Sequence, residues 1–232
     1  THLASLLSQD QSLYAAAGKY SKADLTTQMV FEFASLQGEA GYHYATHEGV
    51  SPDLASALAE QYYPLSETSQ LPSSLIGACL ALADRLDLIV ACFENGNIPT
   101  SSKDPWGIRK SMIAINRLLL SVEEFKDLDI YQLLELTYQS YGERFQVKEN
   151  LSKIIEFYKP RLKHIFANTQ KFEHHVSPDM IDACLAKHVR PQLLAHTLSD
   201  LAKLKSINSV AYKCLVDTAV RVGRLSDASV SG

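Results

Sequence analysis

The sequence predicts an all-α fold, on three observations. Helix-start devices recur along the chain, apolar residues repeat at helical spacing, and no segment alternates apolar and polar residues as a half-buried strand would. Ser51-Pro52-Asp53 and Ser177-Pro178-Asp179 are the same start device. Each offers a Ser cap, a Pro at the first helical position and an acid near the positive end of the helix dipole. Asp104-Pro105 is a third start of this kind, and Ile108, Met112, Ile115, Leu119 and Val122 follow it as a four-three-four-three apolar stripe.

Taken in order, helices are expected near 2–17, 23–35 and 39–47, and another starts at Ser51-Pro52. A long buried helix runs from about Ser73 to Phe93 and is closed by the Glu94-Asn95-Gly96-Asn97 turn. The striped helix follows Asp104-Pro105. Further helices are expected near 129–141, 147–168, 191–205 and 208–225, with one more starting at Ser177-Pro178. Pro160 predicts a kink within 147–168. The charged segment SVEEFKDLD, Ser121 to Asp129, interrupts two apolar helices and divides the chain into 1–122 and 123–232. The start, THLASLLSQD, has neither a charged leader region nor a Met and reads as the interior of a longer chain. The end, SDASVSG, is small and polar and is expected to fray.

With 232 residues the chain is long enough for one large core or two small ones. A net charge of -4 argues against a general nucleic-acid wrapper and leaves room for local basic strips. No apolar run reaches the length of a transmembrane helix. Cys79, Cys92, Cys184 and Cys214 share no metal-ligand spacing and lie in apolar helical surroundings, so they read as reduced, buried thiols.

Few residues carry chemistry by spacing alone. His43 and His47, four apart, face one side of a helix, the spacing of a metal pair. They read first as histidines packed among Tyr42 and Tyr44, and second as ligands joined by Asp84 or Asp87. Asp84 sits among Leu82, Ala83 and Leu86, where a carboxylate needs a partner; a bond or ion pair to another helix is the leading reading and a metal ligand the other. His174 and His175 diverge on any helix and read as a solvated loop. Lys103, Arg109, Lys110 and Arg117 stand against one acid, Asp104, and form a candidate phosphate-contacting strip or an ordinary solvated face. Lys159, Arg161 and Lys163 have the same two readings. There is no phosphate-binding loop and no dinucleotide glycine fingerprint; Gly38 and Gly41 read as turn or close-packing glycines.

Three segments in order, KADLTTQMVFEFASLQGEAGYHYATHEG, LPSSLIGACLALADRLDLIVACF and SKDPWGIRKSMIAINRLL, resemble the β-subunit family of the bacterial two-subunit glycyl-tRNA synthetases. Phe157, Arg161 and Leu162, then Arg190-Pro191, then Arg221-Val222 extend the resemblance more loosely through the second half. The resemblance implies a helical domain over 1–122 related to the HD phosphohydrolases. It implies a helical body over 123–232 that leads, in that family, to an anticodon-binding domain not contained here. It further implies a glycine tRNA as partner, with the synthetase α subunit or a fused α region. ATP and Mg are used by that α part, so no cofactor is expected here. A cytoplasmic protein is implied, with no membrane or DNA partner. The active HD site needs a His-Asp doublet near Ser21-Lys22, where none exists, so a degenerate metal site is expected and no catalytic residue is assigned. The tRNA-contact candidates are Lys103, Arg109, Lys110, Arg117, Lys159, Arg161 and Lys163, with Asp24, His43 and His47 as packing or RNA-facing residues. Two rivals remain: a divergent metal phosphohydrolase using His43, His47 and Asp84, and a pure interaction scaffold. The chain departs from the family pattern at Pro160 and at Asp217 to Val220.

Overall fold

The computed structural model describes residues 2–100, 102–145, 148–169 and 172–230, with backbone alone for 143, 148–149 and 220–230. The side chains of Arg221 and Val222, quoted for the resemblance, therefore lie outside the described residues. The described residues form α-helices and short 3-10 turns and no strand. The first compact unit is Thr1–Arg161 and the second Leu162–Gly232. The division by compactness thus falls inside a helix, later in the chain than the charged segment at Ser121 to Asp129.

In the first unit, α1 (His2–Leu6) and α2 (Gln11–Tyr20) replace the single helix expected over 2–17. The break is at Ser8, whose φ of 53° is left-handed. The stretch expected as one helix over 23–35 is a 3-10 turn (Ala23–Thr26), a short α3 (Gln28–Glu32) and a second 3-10 turn (Ala34–Leu36). α4 (Glu39–His47) and α5 (Pro52–Glu60) lie where the sequence places them. Pro52 begins α5 and Asp53 is in its first turn, but the Ser51 side chain makes no capping bond.

α6 (Leu75–Glu94) is the central helix of this unit. Ala81, Leu82, Ile89 and Val90 are wholly buried, as the continuous apolar run requires. It packs against α1, α2, α5, and two later helices, α7 (Ile108–Ser121) and α8 (Ile130–Ser140). Ser74 caps its start, accepting from the Gly77 N–H at 3.0 Å. Its end is a Schellman motif: Asn97 N–H reaches Cys92 O at 2.8 Å and Gly96 N–H reaches Phe93 O at 3.1 Å, with Gly96 at φ 71°.

α7 buries Ile108, Met112, Ile115 and Leu119 on one face, the stripe read from the sequence. It starts later than Asp104-Pro105 suggested, at Ile108 after Gly107. Asp104 still works as its cap from four residues upstream: its two carboxylate oxygens accept from the Ile108 and Arg109 N–H groups, each at 2.9 Å. α9 (Lys148–Asn168) runs through Pro160 as one helix. Its Tyr158 is fully buried and donates to the Asn116 side chain of α7. Phe157 meets Phe93 of α6 edge-on, ring centroids 5.6 Å apart.

In the second unit, α10 (Pro178–Leu185) and α12 (Ser209–Val230) each pack against α11 (Pro191–Ile207). Ser177 makes no side-chain capping bond, while Pro178 and Asp179 occupy the first turn of α10 as expected. α12 takes in Ser226 to Val230, which the sequence assigned to a polar end. Met180, Ile181, Leu194 and Leu198 form the buried layer. Cys79, Cys92 and Cys184 are buried, but Cys214 is exposed on α12, a departure from the expectation of four buried thiols. Burial pushes the Cys79 thiol up to about 12, so it is inert near neutral pH.

Candidate functional site

The residues expected at an HD-type metal centre are not assembled as one. Lys22 stands where the doublet would be, in a left-handed cap conformation at φ 56°. Its Nζ lies 2.6 Å from Asp84 Oδ1. An ammonium thus occupies the carboxylate that would hold a metal. His43 and His47 are exposed on α4, His43 edge-on to Tyr42 with centroids 5.3 Å apart. Among the described residues no group of three His, Cys, Asp or Glu could hold a metal ion. The rival phosphohydrolase built on His43, His47 and Asp84 is therefore not supported. Asp84 does find the partner that its apolar setting demanded, on the turn before Ala23–Thr26 instead of on a helix.

Asp24 is a packing residue. It is 4% exposed and accepts from the Gly38 N–H at 2.8 Å and the Tyr62 hydroxyl at 2.7 Å. It ties the 3-10 turn at Ala23–Thr26 to the start of α4 and the end of α5. Arg85, flanked by Asp84 and Asp87, turns inward. Its guanidinium donates to four carbonyls, Gln61 at 3.1 Å, Ala81 at 2.8 Å, Tyr62 at 2.9 Å and Pro64 at 3.3 Å. Burial pushes it down and Asp84 opposes that.

The seven basic candidates have unequal roles. Arg117 is half-buried and clamps a loop, donating to Ser66 O and Ser69 O at 2.6 Å each. Arg109 donates to Thr100 O and sits 3.9 Å from Asp104, closing the loop that leads into α7. Arg161 lies over the Phe157 ring, 3.3 Å from its centroid, and donates to Phe157 O. Burial and then Arg109 push the Arg161 guanidinium down, and Asp104 pulls it up, so the two arginines and Asp104 form one electrostatic group. Lys159 is half-buried on α9. In the second unit, Lys163 contacts both carboxylate oxygens of Asp182 at 2.6 Å.

Lys103 and Lys110 are different. Both are exposed, and neither side chain is held by a described residue. Between them Trp106, the single Trp of the chain, is 55% exposed. Sequence reasoning passed over Trp106, although a lone Trp in a polar segment between two lysines was a readable signal. It also passed over two further features of the first unit. One is an apolar surface on α3 and the turn after it, where Met29, Phe31, Phe33 and Leu36 are all exposed and Phe31 reaches 81%. The other is a cavity of about 490 Å³ lined by residues of α2, α4, α5 and the turn at Ala23–Thr26. Among the described residues no helix is long and apolar enough to cross a membrane.

Comparison with known proteins agrees with the resemblance in the three segments. Residues 1–186 match the family described as glycyl-tRNA synthetase beta subunit. The chain is 42% identical over 149 residues to the glycine–tRNA ligase beta subunit of Pseudomonas aeruginosa UCBPP-PA14, covering 64% of this chain and 22% of that protein. Against the Pseudomonas putida W619 beta subunit the identity is 38% over 162 residues, 70% of this chain and 23% of that one. Against the Pseudoalteromonas atlantica beta subunit it is 35% over 209 residues, 89% of this chain and 29% of that one. The chain spans about a quarter of the length of these relatives, 22 to 29%. With segments, order and family match in agreement, the chain belongs to the glycyl-tRNA synthetase beta subunit family.

Proposed function

We propose that this region serves the ligation of glycine to its tRNA by contacting the tRNA and by packing against other parts of the synthetase, in the cytoplasm. It holds no catalytic centre. The reaction, with its ATP and Mg, belongs to the α subunit or to a fused α region. The observation that carries the tRNA contact is the set Lys103, Trp106 and Lys110. Two exposed cations held by no described residue flank an exposed indole, which suits a phosphate backbone with a base or ribose against the ring. Arg109, Arg117 and Arg161, and Lys163 in the second unit, serve as structural cations, because each already holds a backbone carbonyl or a carboxylate.

A pure scaffold is the second reading, favoured by Phe31 and Phe33, whose exposed rings suit a protein partner. One experiment separates the two. The double variant Lys103→Glu/Lys110→Glu is titrated with a glycine tRNA over a range of salt. The tRNA-contact reading expects affinity to drop by about tenfold or more at low salt, and the salt slope to fall by about two, one for each phosphate no longer neutralised. Affinity and slope equal to those of the unmodified chain would leave the scaffold.

A further inference from the structure

The cavity in the first unit answers to no role so far described. Tyr20 from the end of α2 and Tyr44 from α4 form part of its wall, each 45% exposed. Ala23, Ala45, Val50 and Leu58 supply apolar lining. Its volume, about 490 Å³, lies within the range of small-ligand pockets and is large enough for a single nucleoside.

The polar groups on the lining are mostly acceptors. Asp24 and Glu48 bring two carboxylates to the lining, and the oxygens of Asp24 already accept from the Gly38 N–H and the Tyr62 hydroxyl. The Thr27 hydroxyl is spent on Asp24 O at 2.7 Å, and the Gln61 amide on Leu58 O at 2.6 Å. Gln61 Oε1 in turn accepts from the Lys22 N–H at 3.1 Å. A phosphate inside would face two carboxylates, so an anion does not belong there. A flat, uncharged ring with an N–H₂ group does: the tyrosines offer faces to stack on and the exposed Glu48 carboxylate can accept from the amine, as Glu and Asp do from cytosine N4. Beside this wall Lys19 Nζ lies 5.7 Å from the Tyr20 ring centroid, where it can meet the phosphate of a nucleotide whose base is inside. Lys22, the next cation along, is held by Asp84.

We propose that the cavity takes one unpaired base of the bound tRNA, stacked on Tyr44, with the exocyclic amine of a cytosine or adenine donating to Glu48. This rests on the tRNA-contact reading above and adds a nucleotide-specific pocket to it, separate from the Lys103–Lys110 surface. Tyr44 on α4 and Glu48 at its C-terminal cap are exposed one turn apart, so both can be replaced without opening the core, whereas Asp24 holds two elements together and is left alone.

The test measures the affinity of the full chain for a glycine tRNA, and for short oligocytidylate and oligouridylate, in the unmodified protein and in the Tyr44→Ala and Glu48→Ala variants. Circular dichroism checks that each variant is folded. Removal of one stacked base predicts that Tyr44→Ala weakens tRNA binding by about tenfold with the salt slope unchanged, because every phosphate keeps its cation. Oligocytidylate is expected to bind several-fold tighter than oligouridylate, which has an oxygen where cytosine has its amine, and Glu48→Ala is expected to shrink that preference. If the unmodified chain binds tRNA but both variants bind it equally well, the pocket assignment is overturned and the tRNA-contact reading stands. If the unmodified chain binds no tRNA at all, both fall together.

Discussion

Glu60 shows how one side chain can fix an element boundary. Its carboxylate takes four bonds, from the backbone N–H of Ser73 at 2.9 Å and of Ser74 at 3.1 Å, and from their hydroxyls at 2.5 Å each. Burial pushes this carboxyl up, but the Ser73 and Ser74 donors outweigh it and hold the group below the ordinary carboxylate range. A carboxyl with a lowered value in the folded state contributes stability above its unfolded value, and that contribution is lost as pH falls through the folded value. Glu60→Gln is therefore expected to cost about 1–3 kcal/mol near neutral pH. It should also flatten the loss of stability on acidification, read as melting temperature against pH. An acid limb with the same slope in the variant would contradict this role for Glu60. None of this was legible in the sequence, because Glu60 and Ser73 are joined only once the chain between them has folded back. Asp84 was legible in part: an apolar setting demanded a partner, but only the fold could show that the partner is Lys22.

At the scale of elements, α5 and α6 meet where Gly77 faces Glu60. A Cβ on Gly77 would collide with Glu60 Oε2 and lie 2.7 Å from the Glu60 Cβ. Because Glu60 is pinned by its four bonds, it has no easy retreat. Gly77→Ala sets a gain of about 1 kcal/mol in helix propensity against an overpacking cost of about 1–3 kcal/mol. A net loss of stability is expected by thermal or urea unfolding; a stabilised variant would mean that the two helices separate freely. The long helices α6, α7 and α9 were readable because apolar periodicity over many residues is a strong signal. The short pieces between Ala23 and Leu36 were not. There, tertiary bonds at Asp24, to Gly38 and Tyr62, hold turns that local propensity alone would extend into one helix. The start of α7 was displaced for a similar reason, with Asp104 capping across Pro105, Trp106 and Gly107.

Over the whole molecule, a net charge of -4 has to coexist with the proposed binding to an RNA, and the distribution of cations reconciles them. The arginines among the candidates are spent on carbonyls, an aromatic ring or Asp104, while Lys103 and Lys110 stay exposed. Residue types and spacing revealed which cations cluster along the chain. They did not reveal which are spent, since that depends on loops at Ser66 and Thr100 coming alongside α7. The family was legible from three segments quoted in order, and the match over residues 1–186 supports it. Direct contact between this region and its tRNA is best tested by a fluorescence titration of the chain with a glycine tRNA and an unrelated tRNA at low and moderate salt. Binding is expected to weaken steeply with salt and to favour the glycine tRNA. Absence of binding to either tRNA at low salt would contradict direct contact and leave the region as a spacer between other parts of the synthetase.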